Sequence, residues 1–217
     1  VPDGPLSLPA RLCLLAWDPA RPPGTGTAQL SGPVRAGALT ELARHGLLVD
    51  EDGIATPVDL DSRTGDAVLD GLLELVRESC PHRWRTWVTL RSRVTLDAVR
   101  EQLVAQGYLR AEKKRVLGVS RSVEYALERV AAAEALREET RQALRGPWPV
   151  AQVSERDAAV ATLAASAELL PAEDAGAHEQ RVRELAERAV ASAPGLGEIV
   201  REIRTALAAT ATATAPS

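Results

Sequence analysis

The sequence predicts a mostly α-helical single domain carrying short β-hairpins. Three observations predict it. Apolar residues recur at three- and four-residue spacing over long stretches, proline and glycine gather between those stretches, and only two segments set short apolar runs around a turn. The first stretch, LSLPARLCLLAWD at residues 6–18, brings leucines close together and stops near Asp18-Pro19, so it reads as a helix. PARPPGTGTAQLSGP follows, and its proline and glycine content predicts a loop. A second helix is expected from about Pro33 to His45, with Pro33 in its first turn and Gly46 just past its end. LLVDEDGIATPV, residues 47–58, sets two apolar runs around an acidic, glycine-containing turn and reads as a hairpin.

TGDAVLDGLLELVRESC repeats an apolar face at Val68, Leu69, Leu72, Leu75 and Val76, which is helical spacing with Thr64 or Asp66 as the cap. HRWRTWVTLRSR, residues 82–93, is read as a helix, and another is expected over 95–106, ending at Gly107. YLRAEKKRVLGV, residues 108–119, predicts a second hairpin with Lys113, Lys114 and Arg115 near its tip. A long helix should run over 122–144 until Gly146-Pro147 breaks it. Ser154 then caps another, with Asp157 in its first turn, and two more are expected around 176–192 and 195–208. The low-complexity end, residues 210–217, reads as a disordered tail after a domain spanning 1–209.

A chain of 217 residues with 45% hydrophobic content can bury a substantial core. Aromatics supply only 3% and phenylalanine is absent, so that core must be leucine, valine and alanine. Cys13 and Cys80 read as two buried thiols ahead of a disulfide, and three histidines do not make a zinc ligand set with them. The first residues lack the basic start and long apolar run of a signal peptide, and no window of eighteen apolar residues occurs. The expected location is the cytoplasm, with any membrane contact peripheral.

The net charge of −4 conceals an asymmetry. Residues 81–121 hold ten Lys or Arg against three acids, Asp97, Glu101 and Glu112. Two readings fit: a basic face offered to an anionic partner, or a basic segment neutralised by acidic helices packed on it. The catalytic inventory is thin. There is no HExxH, no GxSxG and no Walker phosphate loop, and the glycines near residue 25 lack the lysine that would follow in one. His45 at a helix end, His82 beside the arginines and His178 in a charged helix have no evident catalytic partner. Neither an enzyme nor a cofactor is expected.

On a helical wheel, Trp84, Trp87, Val88 and Leu90 of the 82–93 stretch share one broad face, with Arg91 inside that arc. Arg85 and Arg93 fall on the other side, and Arg83 lies at the apolar edge. The tryptophans read as core, because large aromatics dominate burial where few are present. Base stacking needs exposed aromatics beside cations, so nucleic acid is not the favoured partner. Arg93 is the better candidate for a solvent-facing anion site, since a guanidinium grips phosphate oxygens in pairs.

LSLPARLCLLAWD, LSGPVRAGALTELARHGLL, TGDAVLDGLLELVRE and LDAVREQLVAQGYLRAEKKRVL, in this order and spacing, resemble the Golgi phosphoprotein 3 family, including its bacterial relatives. The resemblance runs from about Leu6 to Val119 and is most specific at Thr-Gly-Asp-x-x-Leu-Asp, residues 64–70, and Leu-Val-x-x-Gly-x-Leu, residues 103–109. Arginine displaces lysine nearly everywhere, which with the many alanines suggests GC-rich coding and fits a bacterial member. The resemblance implies a mostly helical domain that binds membranes peripherally through phosphatidylinositol 4-phosphate. It also implies adaptor activity in eukaryotic members, which hold glycosyltransferases as clients in the Golgi, and self-association through a hairpin, here 108–119.

Carried over by position, Arg35 matches a headgroup-binding arginine and Arg93 matches one of two further ones. Leu96 stands where the second of that pair would be, and Gly26 stands where the family has a headgroup-packing tryptophan. Arg91, Lys113, Lys114 and Arg115 would add contact with the membrane surface, where each basic residue contributes about 1 kcal/mol. The expectation is therefore a peripheral membrane protein recognising an anionic phospholipid headgroup through Arg35 and Arg93. The alternative is a cytoplasmic protein-interaction adaptor without specific lipid binding.

Overall fold

Every residue of α1 (Leu8–Leu15) except Arg11 is buried. A helix apolar on all sides belongs at the centre of a fold, and α1 packs against α2 (Thr27–Arg44), α5 (Ser92–Ala105), α6 (Val130–Arg145) and α7 (Glu155–Ser166). The computed structural model describes residues 6–17, 27–116, 120–170 and 175–213. The fold is mostly α-helical, with two antiparallel two-stranded sheets among the described residues. The buried apolar residues form one cluster built from leucine, alanine and valine, with Trp84 and Trp87 as its only fully buried aromatics. Small residues compensate for the missing aromatics by letting helices approach closely. A Cβ on Gly37 of α2 would lie 2.7 Å from a Leu12 methyl of α1, and α7 buries Ala158, Ala159, Ala161 and Ala164 in a single run.

The first hairpin pairs β1 (Leu48–Glu51) with β2 (Ile54–Pro57), Glu51 facing Ile54 across the turn. Asp52 and Gly53 both have positive φ, the geometry of a two-residue turn that matches strand twist. Helix α3 (Ala67–Glu78) is capped by Asp66, whose carboxylate accepts from the Val68 and Leu69 N–H groups, and Leu73 rather than Leu75 completes its buried face. Beyond α6 the expected order holds. The α6 helix ends at Arg145 before Gly146, Ser154 accepts from the Asp157 N–H at the start of α7, and α8 (Ala175–Val190) and α9 (Leu196–Ala213) follow.

Five expectations need correction. Helix α2 begins at Thr27, so Pro33 lies inside it rather than in its first turn. The two lower turns gain tertiary partners that the local sequence does not announce: the Ser92 hydroxyl bonds the Ser31 hydroxyl at 3.1 Å, and Gly32 lies against Val88. These contacts hold a helix that proline would otherwise interrupt. The 82–93 stretch is not one helix but α4 (Trp84–Thr89) and the start of α5, broken at Arg91.

The second hairpin spans β3 (Leu109–Val116) and β4 (Ser120–Leu127) rather than 108–119, and it takes the start of the long helix expected from Ser122. Period-two placement of Tyr125 and Leu127 against the core outweighs the helix propensity of that segment. Its base is clamped by cation–π contacts, Arg129 over Tyr108 at 4.7 Å and Arg100 over Tyr125 at 5.1 Å. Cys80 is exposed rather than buried, and both cysteines are free thiols. Finally, α9 continues through Thr210 to Ala213, the first part of the expected tail, and the rest of that tail lies outside the described residues.

Candidate anion-binding site

Trp84 and Trp87 are both fully buried, as the wheel predicts. The Trp84 indole N–H donates to Asp50 at 2.7 Å, and Gly195 is so close to its ring that a Cβ there would lie 2.3 Å away. His82 meets Trp87 edge to face at 5.3 Å. Neither ring is available to stack on a base. With the tryptophans turned inward, α4 leaves Arg83 and Arg85 exposed.

The helix then breaks at Arg91, whose φ of 51° places a non-glycine residue in the left-handed region. Such a conformation costs on the order of 1 kcal/mol and persists only where the surroundings demand it. Here it starts α5 with no side-chain cap and no acidic residue in the first turn. The Arg91 carbonyl accepts the Val94 N–H at 3.0 Å and also the Arg35 Nη2 at 2.7 Å. A buried arginine from α2 is thereby fastened to the N-terminus of α5, and the Ser31–Ser92 hydroxyl contact fastens the same two helices beside it.

Arg35 has no exposed surface. Its Nε and Nη1 are buried without a hydrogen-bond partner. Burial alone lowers its pKa to about 10, so it stays a cation at neutral pH. A helix N-terminus is itself the positive end of a dipole. The α5 start therefore sets a guanidinium, the exposed side chains of Arg91 and Arg93, and uncapped backbone N–H groups together with no local acid. Each of these repels the others, and an anion is what would satisfy all of them.

The expected site residues separate as follows. Arg35 and Arg93 belong to this corner, Arg35 buried and Arg93 exposed in the first turn of α5 two residues after the carbonyl that Arg35 grips. Arg91 belongs there as well, and its backbone carbonyl, which no local pattern singles out, holds Arg35. Among the described residues neither Arg91 nor Arg93 has an ion-pair partner. Leu96 is fully buried in the core, so its position faces away from solvent. Gly26 lies outside the described residues. Lys113, Lys114 and Arg115 are on β3 opposite Val123, Ser122 and Arg121, and their side chains are likewise outside the described set.

No group of three His, Cys, Asp or Glu side chains among the described residues could hold a metal ion, and no described helix is long and apolar enough to cross a membrane. A search of curated proteins returns no match to the chain. The model of the family described as Golgi phosphoprotein 3 (GPP34) matches residues 8–207, which takes in nearly every described element. With the match covering both α2 and α5 and the arginines they carry, the chain belongs to the Golgi phosphoprotein 3 family.

Proposed function

We propose that the protein is a peripheral membrane protein that binds the phosphate of an anionic phospholipid headgroup at the α2–α5 corner. The single observation that carries this reading is the buried Arg35, whose Nε and Nη1 donors are unpartnered beside a helix N-terminus that has no side-chain cap. Burying such donors without acceptors costs about 1–3 kcal/mol, a penalty that a ligand oxygen would remove. Arg93 and Arg91 would meet the same headgroup or its neighbours from the solvent side. Phosphatidylinositol 4-phosphate is the headgroup that family membership favours. The core position of Leu96 makes the contact set here smaller than the one the family resemblance implies.

Vesicle co-sedimentation tests this, comparing phosphatidylcholine alone, phosphatidylcholine with phosphatidylserine, and phosphatidylcholine with phosphatidylinositol 4-phosphate. The expected result is binding to anionic vesicles only. Arg35→Met should weaken it on the order of thirtyfold or more, as for loss of a buried charged contact. Arg93→Ala should weaken it about fivefold, the effect of one surface cation. Absence of binding on all three vesicles, or binding that neither substitution changes, overturns the reading and returns the chain to the protein-interaction alternative.

A further inference from the structure

Val94 is 63% exposed in the first turn of α5, between the exposed Arg93 and the buried Thr95. It lies on the side of α5 opposite Leu96, Val99 and Leu103, which the core buries. Leu90, half-buried, stands just before the left-handed break, so the corner offers apolar surface on both sides of Arg91. We infer that Val94 is a bilayer-facing anchor, entering the headgroup–acyl boundary while Arg91 and Arg93 flank it at the level of the lipid phosphates. The inference rests on the anionic-headgroup reading and adds the acyl region of the same membrane as a second contact.

The occupant is an anionic bilayer by charge. Arg91 and Arg93 bracket Val94 with no acid in the first turn of the helix, and long arginine side chains reach phosphates from beside an inserted apolar group. The first acids along this face of α5 itself are Asp97 and Glu101. At 1.5 Å of rise per residue they lie about 4.5 Å and about 10 Å farther along the axis. The membrane must therefore meet α5 end on, at its N-terminus, because a side-on approach would press those carboxylates against lipid phosphate. This orientation also brings the N-terminus of α5, to which the buried Arg35 is bonded, up to the headgroup.

The test separates the bilayer from its headgroup. Wild type, Val94→Ser and Arg35→Met are each titrated with vesicles containing phosphatidylinositol 4-phosphate and with inositol 1,4-bisphosphate, the same headgroup without acyl chains. Val94→Ser should lose roughly tenfold on vesicles, the scale of one valine leaving an apolar phase, with headgroup affinity unchanged. In a Cys80→Ser background, whose remaining Cys13 is buried, Val94→Cys carrying an environment-sensitive dye should shift to the blue with vesicles and not with the soluble headgroup. Unchanged vesicle binding by Val94→Ser, or a dye that stays in water, overturns the anchor while leaving the headgroup site standing. Wild type that binds neither vesicle nor headgroup removes both.

Discussion

Helix α2 buries two charges six residues apart, Arg35 and Glu41, and surrounds them in opposite ways. Glu41, 4% exposed, accepts the Leu8 N–H at the start of α1 and the Arg156 guanidinium, which also donates to the Leu6 carbonyl. Arg35, with no exposure, has one backbone carbonyl and two idle donors. The first charge ties α1, α2 and α7 together and needs nothing more. The second is held in place but incompletely solvated. A buried polar group that the fold satisfies is structural, whereas one that the fold positions and leaves unsatisfied points to a ligand.

The comparison breaks most sharply at Glu41. Glu41→Ala would strand the Arg156 cation and the first N–H of α1, and loss of one partner from a buried pair costs about 3–5 kcal/mol. Arg156 keeps 25% of its side-chain exposure, which places the expected loss at the lower end of that range. Urea unfolding measures it. A cost below that of an ordinary surface substitution would mean that Glu41 is not the structural tie described.

Arg35→Met should act in the opposite direction without ligand, raising stability by about 1 kcal/mol because an apolar chain replaces an unsatisfied cation. A smaller effect fixes its cause. Burial depresses the folded-state pKa of Arg35 to about 10, below that of an arginine in the unfolded chain, so above about pH 10 the folded state binds fewer protons than the unfolded chain. Its destabilising contribution is complete below about pH 10 and fades as pH rises through that value. The stability gap between Arg35→Met and wild type should accordingly be wide at pH 8 and narrower at pH 11. A gap that does not move with pH assigns the effect to packing rather than to the buried charge.

The fold was legible wherever a face repeats locally. Leucines and tryptophans at helical spacing placed α1, α3 and α4, Asp52-Gly53 placed the first turn, and Ser154 with Asp157 placed the start of α7. What escaped depends on distant partners. Thr27–Gly32 looks like a loop because the groups that hold it helical, Ser92 and Val88, lie some sixty residues away. The β4 strand looks helical because its pairing with β3, and the tyrosine contacts beneath it, are long-range. The break at Arg91 had left one trace, an arginine in the arc that Trp84, Trp87 and Val88 assign to the core. A continuous helix would have had to bury it, and the helix breaks there instead. Arg35 and Arg93 were named in the sequence through the family resemblance, whereas the Arg91 carbonyl that ties Arg35 to the start of α5 appears only when the helix breaks.

The central claim, that Arg35 is a cation awaiting an anion, is tested most directly by thermal unfolding of wild type and Arg35→Met against increasing inositol 1,4-bisphosphate. Wild type should gain stability continuously, by about 3 kcal/mol at a hundredfold excess over its dissociation constant, while Arg35→Met should start higher and stay flat. Equal shifts in both proteins, or no shift in wild type, would contradict it.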